Sequence, residues 1–306
     1  MIKDEIKMEM GIAWNFEHIT YEEKIKRAFN EWFDTDPKKI MSWWWKVWDD
    51  VLGGIYGWKI YVIGADTGIG KSTFVNQICR NLASSWVKVV KYSLEDRMED
   101  LGKEEIYYEV NRMRKLDGKP WYLWTDFVNK KITGEEIMVY VGKAVEKLMS
   151  INITELDKQK QVNIEELVYL MEEECKKGAR AFAIDHLHYF EMKDGKERHD
   201  LQIQNIMHNI NEVARKYNVA VFLIAHYKMW KQPWTPSYDN FKDGAAIKQV
   251  ANIIIQIDRD TDTTKSQFYI TKIRWPIKPC VIDADFNIWT FEYDFKPMTK
   301  KHFGVV

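Results

Sequence analysis

The sequence predicts an α/β fold: a parallel sheet sandwiched by helices, with a short N-terminal helical arm. Apolar runs such as Ala181–Ile184 and Val219–Ala225 are continuous instead of alternating with polar residues, which is typical of strands buried on both faces. Segments with helical spacing separate these runs, and parallel strands need such crossovers. The alternation therefore favours helices on both faces of the sheet.

The predicted elements follow one another in order along the chain. Thr20 and Glu23 fit a capping box, in which the hydroxyl and the carboxylate each satisfy a free amide of the first turn. The helix that they begin should end before Pro37. We expect further strands at residues 60–63, 87–92, 181–184, 219–225, 253–257 and 267–274, a hairpin at 280–293, and helices at 72–84, 200–217 and over most of 97–178.

Length and composition narrow the class of protein. The 306 residues suit one large domain or two small ones, and we place a boundary near residue 50, between an arm (1–50) and a core (51–306). Since 45 Lys and Arg balance 46 Asp and Glu, the overall charge does not by itself indicate a nucleic-acid-binding protein. Any basic surface must therefore be local. No apolar run reaches the roughly 18 residues of a membrane span. Three widely spaced cysteines fit a reducing, cytoplasmic compartment.

Residues 65–72, with the sequence ADTGIGKS, match the Walker A pattern except for alanine at the first position. Glycines in such a loop let backbone amides cradle phosphate oxygens, while Lys71 would reach the β- and γ-phosphates and the Ser72 hydroxyl would bind Mg²⁺. A predicted strand precedes the loop and a predicted helix follows it, as this chemistry requires. We predict an ATP and Mg²⁺ site formed by Ala65, Asp66, Thr67, Gly68, Ile69, Gly70, Lys71, Ser72 and Thr73.

Polar residues at the ends of other predicted strands are further candidates, because ligands of parallel sheets bind at the carboxyl ends of strands. Asp185 is either a Walker B carboxylate that holds Mg²⁺ through water or an ordinary strand-ending acid. Glu95 is placed to polarise the water that attacks the γ-phosphate, with Asp96 and Glu99 as rivals. His226 either senses the γ-phosphate or is a hydrogen-bonded structural histidine.

Taken together, these motifs resemble the RecA-type core of DnaB-like replicative helicases over about residues 45–295. The motifs occur in the same order as in that family. They are Leu52-Gly53-Gly54 before the first strand, Lys71-Ser72-Thr73-Phe74, Ser93-Leu94-Glu95, Ile184-Asp185-His186-Leu187, His226, residues 241–249 and Lys272-Ile273-Arg274. The Asp-His form of the fourth motif is closer to the ring helicases of phages and mitochondria.

The resemblance implies roles for several residues of a RecA-like core. Glu95 would be the catalytic glutamate, acting with Lys71 and His226. Lys272 and Arg274 would reach the γ-phosphate bound by a neighbouring subunit, where a cation supplied in trans stabilises transition-state charge. The alternative is that these two residues merely share one outward face of a strand.

The resemblance also implies that the segments after Asp185 and His226 face a central channel that holds single-stranded DNA. Cations would contact phosphates and aromatic rings would stack on bases, or the segments are ordinary solvated loops. The family grips DNA through main-chain amides near 242–244, and Ala245 departs from its usual glycine. The candidate DNA-binding residues are Lys193, Lys196, Arg198, Lys228, Lys231, Lys242, Asp243 and Gly244.

We therefore expect an ATP-dependent DNA helicase that acts in replication as a ring, in the family's case a hexamer, moving 5′ to 3′ on single-stranded DNA. A primase or a loader is an expected partner, and the helix at 20–33 either docks on the next subunit or packs on its own core. Two alternatives stay open. One is a strand-exchange or clock-type RecA relative that does not unwind, and the other is an accessory ATPase such as a helicase loader.

Overall fold

The computed structural model describes residues 19–33, 40–93, 97–131, 134–156, 163–186, 199–227, 236–242, 244–273 and 278–298. Contacts divide the chain into two units, residues 1–39 and 40–306. In the first unit, helix α1 spans Tyr21–Phe33. The predicted capping box is confirmed, because Glu23 N donates to Thr20 Oγ1 at 3.1 Å and Thr20 N donates to Glu23 Oε2 at 3.0 Å.

The second unit begins with a small antiparallel ribbon, β1 (Ile40–Met41) and β2 (Ile55–Tyr56), around helix α2 (Lys46–Leu52). Trp43 and Trp48 in this segment are completely buried, with ring centroids 5.1 Å apart. They belong to the core on one face of the main sheet. The core of the second unit thus includes residues before position 50, and the boundary expected near residue 50 stays a prediction.

The main sheet contains nine of the described strands, which are β3 Ile60–Ala65, β4 Val89–Ser93, β5 Ile153–Leu156, β6 Ala181–Asp185, β7 Ala220–His226, β8 Ile253–Arg259, β9 Lys265–Ile273, β10 Cys280–Asn287 and β11 Glu292–Phe295. Their order in the sheet is β11-β10-β9-β8-β3-β7-β6-β4-β5. The six from β8 to β5 are parallel, whereas β9, β10 and β11 are antiparallel.

Helices cover both faces of this sheet. In β3, Tyr61 and Ile63 belong to one buried cluster, whereas Ile60 and Val62 belong to a second cluster on the other face, because successive side chains of a strand point to opposite faces. The predicted α/β sandwich is thus confirmed. The helices are α3 Lys71–Ser84, α4 Met98–Leu116, α5 Trp124–Val128, α6 Glu135–Ser150, α7 Ile164–Lys176, α8 His199–Tyr217 and α9 Gly244–Val250.

One strand lies within the region predicted as mostly helical, and the sequence reasoning missed it. The short segment of β5 is half polar and only partly buried, and it pairs with β4 at the edge of the sheet. No apolar run marks it in the sequence. Among the residues described above, no helix is long and apolar enough to cross a membrane.

Candidate nucleotide site

The Walker A loop connects the end of β3 to the start of α3. Two of its glycines, Gly68 and Gly70, have φ of 76° and 110°, a left-handed conformation that only glycine adopts without strain. At Gly70 a Cβ atom would also lie 2.3 Å from the Tyr293 hydroxyl. Glycine at position 70 is therefore required by backbone geometry and by a close neighbour.

Two side chains that are distant in the sequence donate hydrogen bonds to carbonyl oxygens of this loop. The Tyr293 hydroxyl on β11 donates to Ile69 O at 3.0 Å, and Arg259 Nη2 at the end of β8 donates to Gly68 O at 2.8 Å. The Arg259 guanidinium also lies 4.4 Å from the centroid of the Phe286 ring. These donors fix the loop from β8 and β11.

Tyr293 is itself fixed on α3. Its backbone N–H donates to Gln77 Oε1 at 2.9 Å, and Gln77 Nε2 donates to Tyr293 O at 3.2 Å. Burial raises the pKa of the Tyr293 phenol, and Arg259 lowers it to a smaller extent, so the phenol stays a hydrogen-bond donor at neutral pH. Sequence reasoning missed Tyr293, Arg259 and Gln77, because no local pattern links them to the loop.

Lys71 lies inside the curve of the loop and is 6% exposed. Its ammonium group donates to the carbonyl oxygens of Ala65 at 3.1 Å and Asp66 at 2.9 Å. A buried ammonium that is held by hydrogen bonds at a phosphate loop is placed to meet an anionic ligand. The geometry thus fits a triphosphate bound by the loop.

Ser72 and Asp185 meet although they are far apart in the sequence. Ser72, in the first turn of α3, donates from Oγ to Asp185 Oδ2 at 2.5 Å, and Asp185 is the last residue of β6. A hydroxyl and a carboxylate are hard oxygen donors of the kind that Mg²⁺ prefers. The pair therefore fits a magnesium ion next to the phosphates.

His226 ends β7 directly beside the Walker A loop. Its Cα pairs with Ala65 in the parallel register of β3 and β7. Burial lowers the pKa of the imidazole, the cations Lys71 and Lys242 lower it further, and Asp66 raises it. With its pKa below the ordinary value of about 6.5, the ring is neutral at pH 7 and can donate one hydrogen bond.

A buried lysine that the sequence analysis did not single out lies in the same region. Lys91 on β4 lines a cavity shared with Ser72 and Asp185, and its ammonium is paired with Glu105 on α4 and Glu155 on β5. Burial lowers the pKa of Lys91, but the two glutamates outweigh this and raise it overall. Lys91 is therefore a permanent positive charge that joins α4 to the edge of the sheet.

The remaining candidates are placed differently. Lys272 on β9 donates from its ammonium to the carbonyl oxygen of Lys248, Lys242 is exposed and donates from its backbone N–H to His226 O at 3.1 Å, and Gly244 begins α9. Their predicted roles stay predictions. The candidates that lie outside the described residues are Glu95, Lys193, Lys196, Arg198, Lys228, Lys231, Asp243 and Arg274.

Comparison of the sequence with models of protein families identifies the family of this chain. The model of the DnaB-like helicase C-terminal domain matches residues 44–278. The chain belongs to this family. It is a helicase of the DnaB type with a RecA-type core and acts by ATP hydrolysis, as the motifs indicated.

Solved structures agree with this fold. One, the structure of an ATPase domain, has a TM-score of 0.75 at 18% identity, over 92% of this chain and 100% of that one. A second structure, of a DnaB-like replicative helicase and its interactions with primase, has a TM-score of 0.75 at 18% identity, over 97% of this chain and 71% of that one. A search of curated proteins gave no match.

Proposed function

We propose that this helicase binds ATP and Mg²⁺ between adjacent copies of the chain and uses hydrolysis to move along single-stranded DNA. The observation that carries the proposal is the meeting of the Walker A loop, Asp185 and His226 at the carboxyl ends of the parallel strands. Here Ser72 Oγ lies 2.5 Å from Asp185 Oδ2. Ligands of parallel sheets bind at these carboxyl ends.

The described residues suit distinct parts of the reaction. Lys71 would neutralise charge on the β- and γ-phosphates, and Ser72 and Asp185 would hold Mg²⁺, which supplies further positive charge to the transferring group. His226, neutral and next to Ala65, would donate a hydrogen bond to the γ-phosphate. Glu95 follows Ser93 in the sequence, and the Cα of Ser93 pairs with Asp185. This register supports the role of Glu95 as the residue that polarises the attacking water.

The position of Lys272 supports a site shared between copies. Lys272 pairs with Ile254 and Ile254 pairs with Val62, so Lys272 lies level with the first half of β3, whereas the Walker A loop follows the end of β3. Arg274 comes two positions later in the sequence, and β9 runs away from that loop. If these cations act on a triphosphate, it is one bound by another copy, as a closed ring such as a hexamer would allow.

We place single-stranded DNA against the segments that follow Asp185 and His226. Lys242 is exposed next to the nucleotide site, and the backbone near Gly244 would bind phosphates, with the other candidate cations of these segments adding charge. Movement from 5′ to 3′, a cytoplasmic location and a primase or loader as partner complete the proposal. One of the two solved structures concerns a helicase that interacts with primase.

A forked-duplex unwinding assay with ATP tests the proposal. We expect the wild type to unwind the fork and the Arg274→Ala variant to lose both unwinding and ATP hydrolysis. Mixing Arg274→Ala with Lys71→Ala chains should restore part of the hydrolysis, because a mixed interface contains one intact loop and one intact cation. Without this rescue, the shared site is wrong. Binding of DNA without any unwinding would favour the accessory ATPase instead.

A further inference from the structure

His186 and His226 contact each other at the ends of two neighbouring strands. The pairing of β6 with β7 runs from Ala181–Ala220 to Ile184–Leu223, and both histidines lie beyond its carboxyl end. Their ring centroids are 4.1 Å apart and their planes cross at 83°. His186 is 8% exposed. The two imidazoles therefore pack edge to face, with His186 buried and His226 partly exposed.

The two rings connect the nucleotide site with the next segment of the chain. His226 is level with Ala65 at the start of the Walker A loop. His186 directly follows Asp185 and precedes residues 187–198, which contain three of the predicted DNA-binding cations. The ring contact thus joins the candidate γ-phosphate sensor to the beginning of a candidate DNA segment.

Contacts of the next residue, Tyr227, fix the chain directly after His226. Tyr227 pairs with Phe241, and the Tyr227 hydroxyl donates to Gly64 O at 3.2 Å. A Cβ atom on Gly64 would lie 2.2 Å from the Phe241 ring, so this packing leaves no spare volume. Because closely packed side chains transmit displacement to their neighbours, a turn of the His226 ring is passed to the ring that it touches.

We propose that His186 is a positioning residue that couples the state of the nucleotide site to the affinity of the chain for single-stranded DNA. This inference rests on the proposed function. A γ-phosphate that binds His226 fixes one orientation of its ring, and His186 must adopt the orientation that packs against it. The coupling is steric, so it requires no change in the protonation of either ring, and it acts in both directions because linkage is reciprocal.

The test measures the affinity of the full chain for fluorescent single-stranded DNA, once with a non-hydrolysable ATP analogue and once with ADP. The ratio of the two dissociation constants reports the coupling. We expect His186→Ala and His186→Leu to reduce this ratio by roughly two- to tenfold, which is the range of an aromatic edge contact. His186→Phe keeps a ring edge and should retain the wild-type ratio within about twofold.

His208→Ala is the matched control, because His208 is exposed on α8 and should leave the ratio unchanged. The His186→Leu variant keeps the volume at position 186 filled and serves if His186→Ala does not fold. A thermal unfolding curve of each variant shows whether it is folded. An unchanged ratio in the leucine variant, or an equal loss in the phenylalanine variant, overturns the inference alone. If the wild type binds DNA with the same dissociation constant in the presence of either nucleotide, the proposed function is overturned as well.

Discussion

The aromatic cluster behind the Walker A loop and the outer helical pair, α4 and α6, are held together by different forces. The cluster consists of Trp48, Phe74, Phe268, Tyr293 and Phe295. Phe268 lies at its centre, with ring centroids 4.8 Å from Phe74 and 4.9 Å from Tyr293 and Phe295. This region depends on apolar contacts, which salt and pH hardly change.

The outer helical pair buries a much smaller apolar group and relies on charges. Glu109 on α4, with a side chain 3% exposed, pairs with Arg112 at 2.6 Å and with Lys147 on α6 at 2.5 Å. Arg112 also pairs with Glu292 on β11 at 2.6 Å. The buried apolar cluster between the two helices consists of Val110, Ile137, Tyr140 and Ala144.

The difference indicates what each region is required to do. A phosphate loop must keep its geometry under all conditions, and densely packed aromatic rings stabilise β11, whose Tyr293 hydroxyl holds the loop. The outer pair has no comparable core, so its attachment through charged side chains should respond to ionic strength and acid. Substitutions in the two regions test this contrast.

The largest effect is expected for Phe268→Ala. Removing a fully buried ring from the aromatic cluster should lower the free energy of unfolding by about 3–5 kcal/mol, measured by urea denaturation. Phe127→Ala, which truncates a partly buried ring of the outer region, is the matched control and should cost less than half as much. Equal losses in the two variants would contradict the proposed difference in packing.

Lys71→Ala should abolish function without unfolding the protein. We expect ATP hydrolysis to fall by about 10²–10³-fold, as for the loss of one donor to transition-state charge. Lys46→Ala, at an exposed ammonium in α2, is the control and should hydrolyse ATP normally. A Lys71→Ala protein with an unchanged rate would rule out the assigned loop.

Glu109→Gln should destabilise the outer pair by about 1–3 kcal/mol, because Arg112 and Lys147 lose a buried charged partner. Asp50→Asn, at the exposed pair with Lys46, should have an effect of about 0–1 kcal/mol. We expect 1 M salt to narrow the difference between Glu109→Gln and the wild type only partly, because salt screens the half-exposed ammonium of Lys147 but hardly reaches the buried carboxylate. Equal losses in Glu109→Gln and Asp50→Asn at low salt would show that charge does not hold the pair.

The stability that Glu109 contributes should also depend on pH. Burial raises the pKa of Glu109, but Arg112 and Lys147 outweigh it and hold the pKa below its ordinary value. The stability from this group is thus present above the ordinary carboxyl pKa and is lost as the pH falls through the lowered one. Unfolding midpoints between neutral and strongly acid pH should fall less steeply for Glu109→Gln than for the wild type.

Tyr293→Phe is expected to have the smallest effect. It keeps the ring in the aromatic cluster but removes the hydroxyl that donates to Ile69 O, a loss of about 1 kcal/mol. We expect KM for ATP to rise by about fivefold with little change in the unfolding midpoint. Tyr269→Phe, whose hydroxyl donates to Gln267 on the same strand, is the control. Equal KM values for the two variants would show that the hydroxyl does not position the loop.

Local patterns in the sequence were sufficient for most strands of the sheet, the capping box and the phosphate loop. A buried strand such as β7 can be recognised because every residue of a short run is apolar, and Gly68 and Gly70 indicate the loop because a left-handed backbone favours glycine. Motif order was sufficient for the family. Each of these signals is carried by residues close together in the chain.

Only the tertiary structure showed the contacts that shape the site. Tyr293 and Ile69 are 224 positions apart, and Lys91 meets Glu155 only because β5 joins the edge of the sheet beside β4. The contact of His186 with His226 likewise depends on the order of the strands. Chain folding brings such residues together through long-range strand pairing, which no local periodicity encodes.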